Sequence, residues 1–232
     1  YNTAEQAAIT FPPDYVNTPQ TRLSYNKYLA EIGKFDDEVG DLMAQIEAAG
    51  KTDSTVFIIL TEQGSSFPGA KWTCYDLGIR AGCVIRWPDG VPANVRTNAM
   101  IEYTDIVPTL IQAAGGTLPV GPNRLDGRSF LEVLLNDKPE HRNYVYSQHT
   151  AVHHNEPAGG YAIRAIRSKQ YKLIWNLQHT TDFSNIVTDL TLNFDENLMF
   201  AEWIDAATTD PAAAFLVNRY LTRPEYEFYD IE

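Results

Sequence analysis

The chain has 232 residues, with 18 Lys and Arg against 30 Asp and Glu, a formal net charge of −12. A body this acidic argues against nucleic acid, whose phosphates need clustered cations, and no basic run suits an anionic membrane surface. Apolar residues at 44% and charged residues at 21% can close a sizeable core, and no apolar stretch is long enough to cross a bilayer.

Residues 1–19, marked by Pro12, Pro13 and Pro19, read as a loop or ordered arm. Leu29, Ile32, Phe35, Val39, Leu42, Met43 and Ile46 recur at helical spacing and predict a helix from about Thr21 to Ala49, stopped by Gly50. Asp36 and Asp37 on that helix read as a solvated face. Val56 to Leu60 is a continuous apolar run, the pattern of a parallel strand covered on both faces, and Cys83-Val84-Ile85 is a second. Thr104 to Ala114 reads as a helix that tolerates Pro108 in its first turn or so. This order of elements predicts an α/β layer with a largely parallel sheet.

After Gly127 the texture changes. A short helix is expected from Arg128 to Leu135. Strands are expected at Tyr144–Tyr146, Tyr161–Arg167 and Tyr171–Leu177, the last two joined by a turn at Ser168-Lys169. Phe194 to Tyr220 reads as helix broken near Asp210-Pro211, and Tyr226 to Ile231 as a final strand. The expected division is residues 1–135 as an α/β core portion and 136–232 as a small antiparallel-sheet subdomain with a C-terminal helix.

The stretch TVFIILTEQGSSFPGAKW concentrates the chemistry. In open α/β sheets ligands bind beyond the carboxyl ends of strands, and there this apolar strand stops at Glu62-Gln63. Adjacent strand residues point to opposite faces, so both reach one ligand only if the backbone turns, and Gly64 makes that turn cheap. A carboxylate beside an amide oxygen is a hard-oxygen pair suited to Ca²⁺ or Mg²⁺ rather than zinc. Lys71 follows nine residues later, and a sulfate or phosphate oxygen between the cation and the ammonium would reconcile their charges. The alternative is that Glu62 and Gln63 merely cap the next segment and Lys71 is a surface lysine. Trp72 and Tyr75 either stack on substrate or pack the core. Cys74 and Cys83 are the only cysteines, so a single bridge between them stays open.

These segments resemble the C-terminal half of a type I, formylglycine-dependent sulfatase of the alkaline-phosphatase-like superfamily, with the texture of bacterial polysaccharide sulfatases and heparan N-sulfatase. TVFIILTEQG stands where members have a strand ending in Thr-Ser-Asp-His/Asn-Gly. KWTCYDLGIRAGCVIRWP resembles the Lys/Arg-bearing loop and following strand, YTDIVPTLIQAAG the next helix, and IRAIRSKQYKLIWNL the hairpin of the C-terminal subdomain. On this resemblance the expected α/β layer is part of a large mixed, mostly parallel sheet flanked by helices. The resemblance implies Glu62 and Gln63 as metal ligands for Ca²⁺, with Mg²⁺ possible, and Lys71 as the catalytic cation on the sulfate and the bridging oxygen. It implies a sulfated glycan substrate, a periplasmic or secreted location, and the N-terminal half of the same sulfatase as partner. Formylglycine is expected only in that N-terminal part, because neither cysteine nor any serine here lies in a C/S-x-P/A-x-R motif. The chain begins with Tyr1 rather than Met, and an upstream part is expected.

His149, His153 and His154 are expected in a loop before the hairpin, where many members border the substrate pocket, and read as sugar ligands or as ordinary solvated or packed histidines. Arg164 and Arg167 have odd spacing on one strand and face opposite ways, so at most one belongs to a pocket, with Arg164 the candidate. Two rival readings stand beside the sulfatase: a phosphoesterase of the same superfamily, and a noncatalytic remnant that binds carbohydrate or a partner.

Overall fold

The structure is a computed structural model that describes residues 9–151 and 160–231. Helix α1 (Pro19–Ala48) starts at Thr18, whose Oγ1 accepts the Thr21 N–H at 3.2 Å, with Pro19 in its first turn. Its N-terminal end is docked. The indole N–H of Trp203 donates to the buried Thr21 hydroxyl at 2.8 Å, and Lys27 meets Asp195 at 2.6 Å. Further along, Ile32, Phe35, Leu42 and Met43 form the expected stripe, yet they are 39% to 52% exposed. Nothing among the described residues lies over it.

Strand β1 (Phe57–Leu60) pairs with β2 (Cys83–Arg86), Phe57 opposite Arg86 and Leu60 opposite Cys83. The pair is antiparallel and two-stranded, which corrects the expectation of parallel neighbours for Val56–Leu60. The physical reason is local: the chain returns from β1 through the 61–82 loop directly alongside it. No third strand is present among the described residues to flank the pair. Between the strands lie the loop and the short helix α2 (Asp76–Ile79). Helix α3 (Ile106–Ala113) and the short helix α4 (Leu131–Leu134) meet one face, where Ile58, Ile85, Leu110, Phe130 and Leu134 line an apolar cleft. On β2, Val84 is 60% exposed.

Asp105 ties this region together. Fully buried, it accepts from the Glu102 and Arg128 N–H groups at 2.9 and 2.8 Å and from Arg142 Nε at 2.7 Å, and His141 lies at 3.1 Å. Burial pushes its carboxyl up, but the Arg142 guanidinium and the two backbone donors outweigh that and hold it at about 2.

The second region is a four-stranded antiparallel sheet in the order β3 (Val145–Ala151), β4 (Tyr161–Arg167), β5 (Tyr171–Asn176), β6 (Tyr226–Asp230). The β4–β5 turn closes as expected, Ser168 N–H to the Tyr171 carbonyl at 2.8 Å. Helices α5 (Asp195–Ala207) and α6 (Pro211–Leu221) lie between β5 and β6 in sequence. They break at Asp210, whose carboxylate accepts the Ala212 N–H at 2.8 Å. One sheet face packs on them through Ile163, Ile174, Met199, Phe200 and Trp203, all at most 2% exposed. Val16, Phe67 and Cys74 from the first region join the same core. Among the described residues no helix is long and apolar enough to cross a membrane.

Candidate functional site

The loop beyond β1 is clamped at its root, Thr61 N–H to the Gly82 carbonyl at 3.1 Å and Gly82 N–H to Thr61 Oγ1 at 2.7 Å. Immediately after come the exposed Glu62 and half-buried Gln63. Gln63 Nε2 lies 3.4 Å from Glu62 Oε1. The separation is too long for a firm hydrogen bond, and it is the amide nitrogen of Gln63, not its oxygen, that faces the carboxylate.

Gly64 has a different task from the one its sequence context suggests. It is not among the residues with positive φ. Instead a Cβ there would lie 1.6 Å from the Leu77 carbonyl oxygen, so glycine is required by close approach of two backbones. Gly78 repeats the device, its Cβ position lying 2.3 Å from the Ala70 carbonyl. The loop is a compact body pinned to α2.

Lys71 N–H donates to the Ser65 carbonyl at 2.9 Å, which returns Lys71 to the segment that carries Gln63. Its Nζ sits 5.1 Å from the Trp72 ring centroid, and among the described residues no carboxylate lies within ion-pair distance of it. Trp72 adopts φ +65°, a conformation costly for a bulky side chain, and packs partly against the main core. A strained aromatic thus carries a cation that no side-chain anion among the described residues neutralises.

The loop is anchored on the second region. Asp76 Oδ1 accepts from Lys172 at 2.8 Å and Oδ2 from Arg167 at 3.2 Å. Burial raises the Asp76 carboxyl, but those two cations more than reverse it and hold it below the usual carboxylate range. Tyr75 hydroxyl donates to Glu227 at 2.9 Å, so Tyr75 packs and bonds inward. Cys74 is 1% exposed, and burial pushes its thiol up. Cys83 is an exposed free thiol, so no bridge joins the two cysteines.

His149 lies not in a loop, as expected, but on β3 opposite Ile163, on the core-facing side, because β3 runs on to Ala151 in register with β4. Its Nε2 is buried without a partner among the described residues, and burial first, then Arg223, holds the ring below the usual histidine range. His153 and His154 lie outside the described residues. Arg164 and Arg167 do face opposite ways. Arg167 reaches Asp76 beside the loop, whereas Arg164 stands on the outer sheet face, away from it. Sequence reasoning missed Asp76 and Lys172. The signal was available: in YKLIWN, Lys172 shares the alternation of Ile174 and Asn176, and all three are buried.

The donor set at the loop fits part of a hard-cation site and no more. Glu62 and Gln63 offer at most three oxygens, whereas Ca²⁺ takes six to eight. No cluster of three or more His, Cys, Asp or Glu that could hold a metal occurs among the described residues.

Comparison with known proteins finds sulfatases. The family described as N-sulphoglucosamine sulphohydrolase, C-terminal, matches residues 70–199, and the family described as Sulfatase matches residues 2–116. An ulvan-active sulfatase of Formosa agariphila is 37% identical over 127 residues, 54% of this chain and 24% of that protein. Arylsulfatase G of Mus musculus is 33% identical over 143 residues, 61% of this chain and 26% of that protein. A protein solved with its substrate D-glucosamine-2-N,6-O-disulfate superposes with a TM-score of 0.57 at 22% identity, covering 83% of this chain and 39% of that one. The chain therefore spans about a quarter of the length of these curated relatives.

Proposed function

Because this chain belongs to the sulfatase family, we propose that it is the C-terminal portion of a sulfuric ester hydrolase that acts on sulfated carbohydrate. The observation that carries the reading is the loop after β1. Glu62 and Gln63 are in contact at its start, and Lys71, over the Trp72 ring and free of any carboxylate among the described residues, is tied back to that segment through its N–H to the Ser65 carbonyl.

In this reading Glu62 and Gln63 hold one side of a divalent cation, Ca²⁺ by donor type, and the remaining ligands come from the rest of the protein. That ion, when bound, draws charge from the sulfate oxygens. Lys71 presents its ammonium to a sulfate oxygen and to the bridging oxygen, where negative charge grows as the alcohol departs. The Trp72 face holds Nζ in place without neutralising it. The Gly64 and Gly78 contacts and the Asp76 ion pairs keep the loop from spreading, so the donors need no rearrangement when charge develops.

The nucleophile is not in these residues, since no Cys or Ser stands in a C/S-x-P/A-x-R motif. The partner is accordingly the N-terminal portion of a sulfatase. The uncovered apolar stripe of α1 and the two-stranded β1–β2 pair supply surface for it. The test is to place residues 1–232 in the matching position of the Formosa agariphila sulfatase and follow sulfate release from sulfated oligosaccharides. Release by the fusion but not by the chain alone supports the reading. Phosphate release in its place sinks it in favour of a phosphoesterase, and a folded fusion that cleaves neither ester points to a noncatalytic remnant.

A further inference from the structure

The loop that carries Lys71 is met from the far end of the chain by a buried carboxylate. Glu227 lies on β6 opposite Ile174 and is 7% exposed. Its Oε1 accepts from Asn176 Nδ2 at 2.7 Å, and its Oε2 accepts from the hydroxyls of Tyr75, at 2.9 Å, and Tyr229. All three donors are neutral, so hydrogen bonds alone offset the cost of burying the charge. Closure of the sheet does not depend on this side chain. Asn176 Nδ2 also donates to the Pro224 carbonyl at 2.8 Å, and Asn176 N–H to the Glu225 carbonyl at 2.8 Å, which joins β5 to the start of β6 without it. Tyr229 stands two places along the same strand. Of the three bonds, only the one from Tyr75 leaves the second region, and it closes a span of 152 residues.

Tyr75 is hemmed in around that bond. Its ring centroid lies 5.1 Å from the Arg223 guanidinium and 5.6 Å from that of Arg219, and meets Tyr229 edge to face at 6.3 Å. Burial first, opposed by Arg223 and reinforced by Glu227, pushes its phenol up to about 12, so the donor keeps its proton at neutral pH. From Tyr75 the chain runs back to Lys71 through bonded links. Tyr75 N–H donates to Thr73 Oγ1 at 3.3 Å, and that hydroxyl, on a residue 3% exposed, donates to the Ala70 carbonyl at 2.7 Å. Ala70 directly precedes Lys71, whose own N–H is fixed on the Ser65 carbonyl at 2.9 Å. A shift of the Tyr75 hydroxyl therefore moves Lys71 with it.

From this chain of contacts we infer, on the sulfatase reading of the loop, that Glu227 is a positioning residue for Lys71 and acts through Tyr75 and Thr73. A ring held by packing alone can slide along its apolar neighbours, whereas a bond to a buried carboxylate sets the place of its hydroxyl. That place sets where the Lys71 ammonium stands when charge grows on the bridging oxygen. Stabilisation by a preorganised cation falls steeply with misplacement. The last strand thus serves the reaction from inside the core, without facing the substrate.

The test combines kinetics in the fusion with the Formosa agariphila sulfatase and chemical labelling of the full chain. Tyr75→Phe removes the donor, and Glu227→Gln leaves one amide oxygen for three donors. Each should lower kcat for desulfation roughly tenfold with little change in KM. Together they should cost no more than either alone, and neither should lower kcat further in a Lys71→Ala fusion. Losses that multiply with that of Lys71→Ala place the action of Glu227 elsewhere and overturn the inference while leaving the sulfatase reading intact. Wild-type kcat in a folded Tyr75→Phe fusion overturns it as well. In the full chain, trace acetylation mapped by mass spectrometry should modify Lys71 roughly threefold faster in Tyr75→Phe than in wild type, while the buried Lys172 stays protected. An unchanged rate at Lys71, or labelling of Lys172 as well, overturns the inference. A fusion that releases no sulfate defeats the sulfatase reading, and the labelling then decides by itself whether the tether sets Lys71. Should Glu227→Gln fail to fold by circular dichroism, Tyr75→Phe decides alone.

Discussion

The two regions of this molecule differ in how completely they are closed. Around β3–β6, α5 and α6, large side chains such as Phe183, Phe200 and Trp203 are at most 2% exposed. Around β1 and β2 the residues of β1 are only half buried, Val84 is open, and the stripe of α1 faces outward. The proposed catalytic loop belongs to the open region by sequence but to the closed one by packing. Phe67 and Cys74 lie in the main core, and Asp76 is held by Lys172 and Arg167. Such an arrangement lets one half of a site keep its shape while the surface that awaits a partner stays uncovered.

The largest effect should come from the closed region. Trp203→Ala removes a buried indole and its bond to Thr21, and should lower unfolding free energy by about 3–5 kcal/mol in denaturant titration. Val84→Ala on the open side should stay within roughly 0.5 kcal/mol. Equal effects would erase the distinction between the regions.

Lys172→Met sharpens the comparison at the junction. It leaves Asp76 with Arg167 alone, and should cost about 3 kcal/mol and loosen the loop. Loss of protection of Cys74 from thiol reagents would show that loosening. A variant as stable as wild type, with Cys74 still protected, would break the claim that the second region holds the loop.

Acid should act on Asp105 in the open region. Its folded value of about 2 lies below the ordinary aspartate value of 3.8, so its contribution is fully present above about pH 4 and is lost as pH falls towards 2. That contribution is on the order of 2 kcal/mol. Asp105→Asn should flatten this part of the pH–stability curve, and an unchanged curve would contradict the assignment.

The smallest stability effect belongs to the stripe. Phe35→Ser should change unfolding free energy by less than about 0.5 kcal/mol, yet it should raise the concentration at which the isolated chain stays monodisperse in light scattering. No gain in solubility would mean that this surface is not the sticky one.

What could be read from the sequence follows from where the information lies. The strands β4, β5 and β6 and the break at Asp210-Pro211 were legible because alternation and a local cap fix them, whereas β3 was read only to Tyr146, since its continuation to Ala151 is set by pairing with β4. Helix α1 was legible because its 3.6-residue period survives even where nothing covers it. The direction of β1 was not legible, since an apolar run reports burial but not the polarity of its neighbour. Gly64 was found for the wrong reason, because a contact with Leu77 depends on tertiary approach and leaves no local mark. Glu62, Gln63 and Lys71 could be singled out by their abrupt position after the strand. Asp76, Arg167 and Lys172 came together only through pairing across 91 and 96 positions of sequence.

The central claim is that the loop after β1 carries half of a hydrolytic site. Its most direct test is Lys71→Ala and Lys71→Arg in the fusion with the Formosa agariphila sulfatase, read as separate kcat and KM for desulfation. The account predicts that Lys71→Ala lowers kcat by roughly 10²–10³-fold with little change in KM, as for removal of one preorganised donor. Lys71→Arg should recover part of the loss. Unchanged kcat in a folded Lys71→Ala fusion would contradict it.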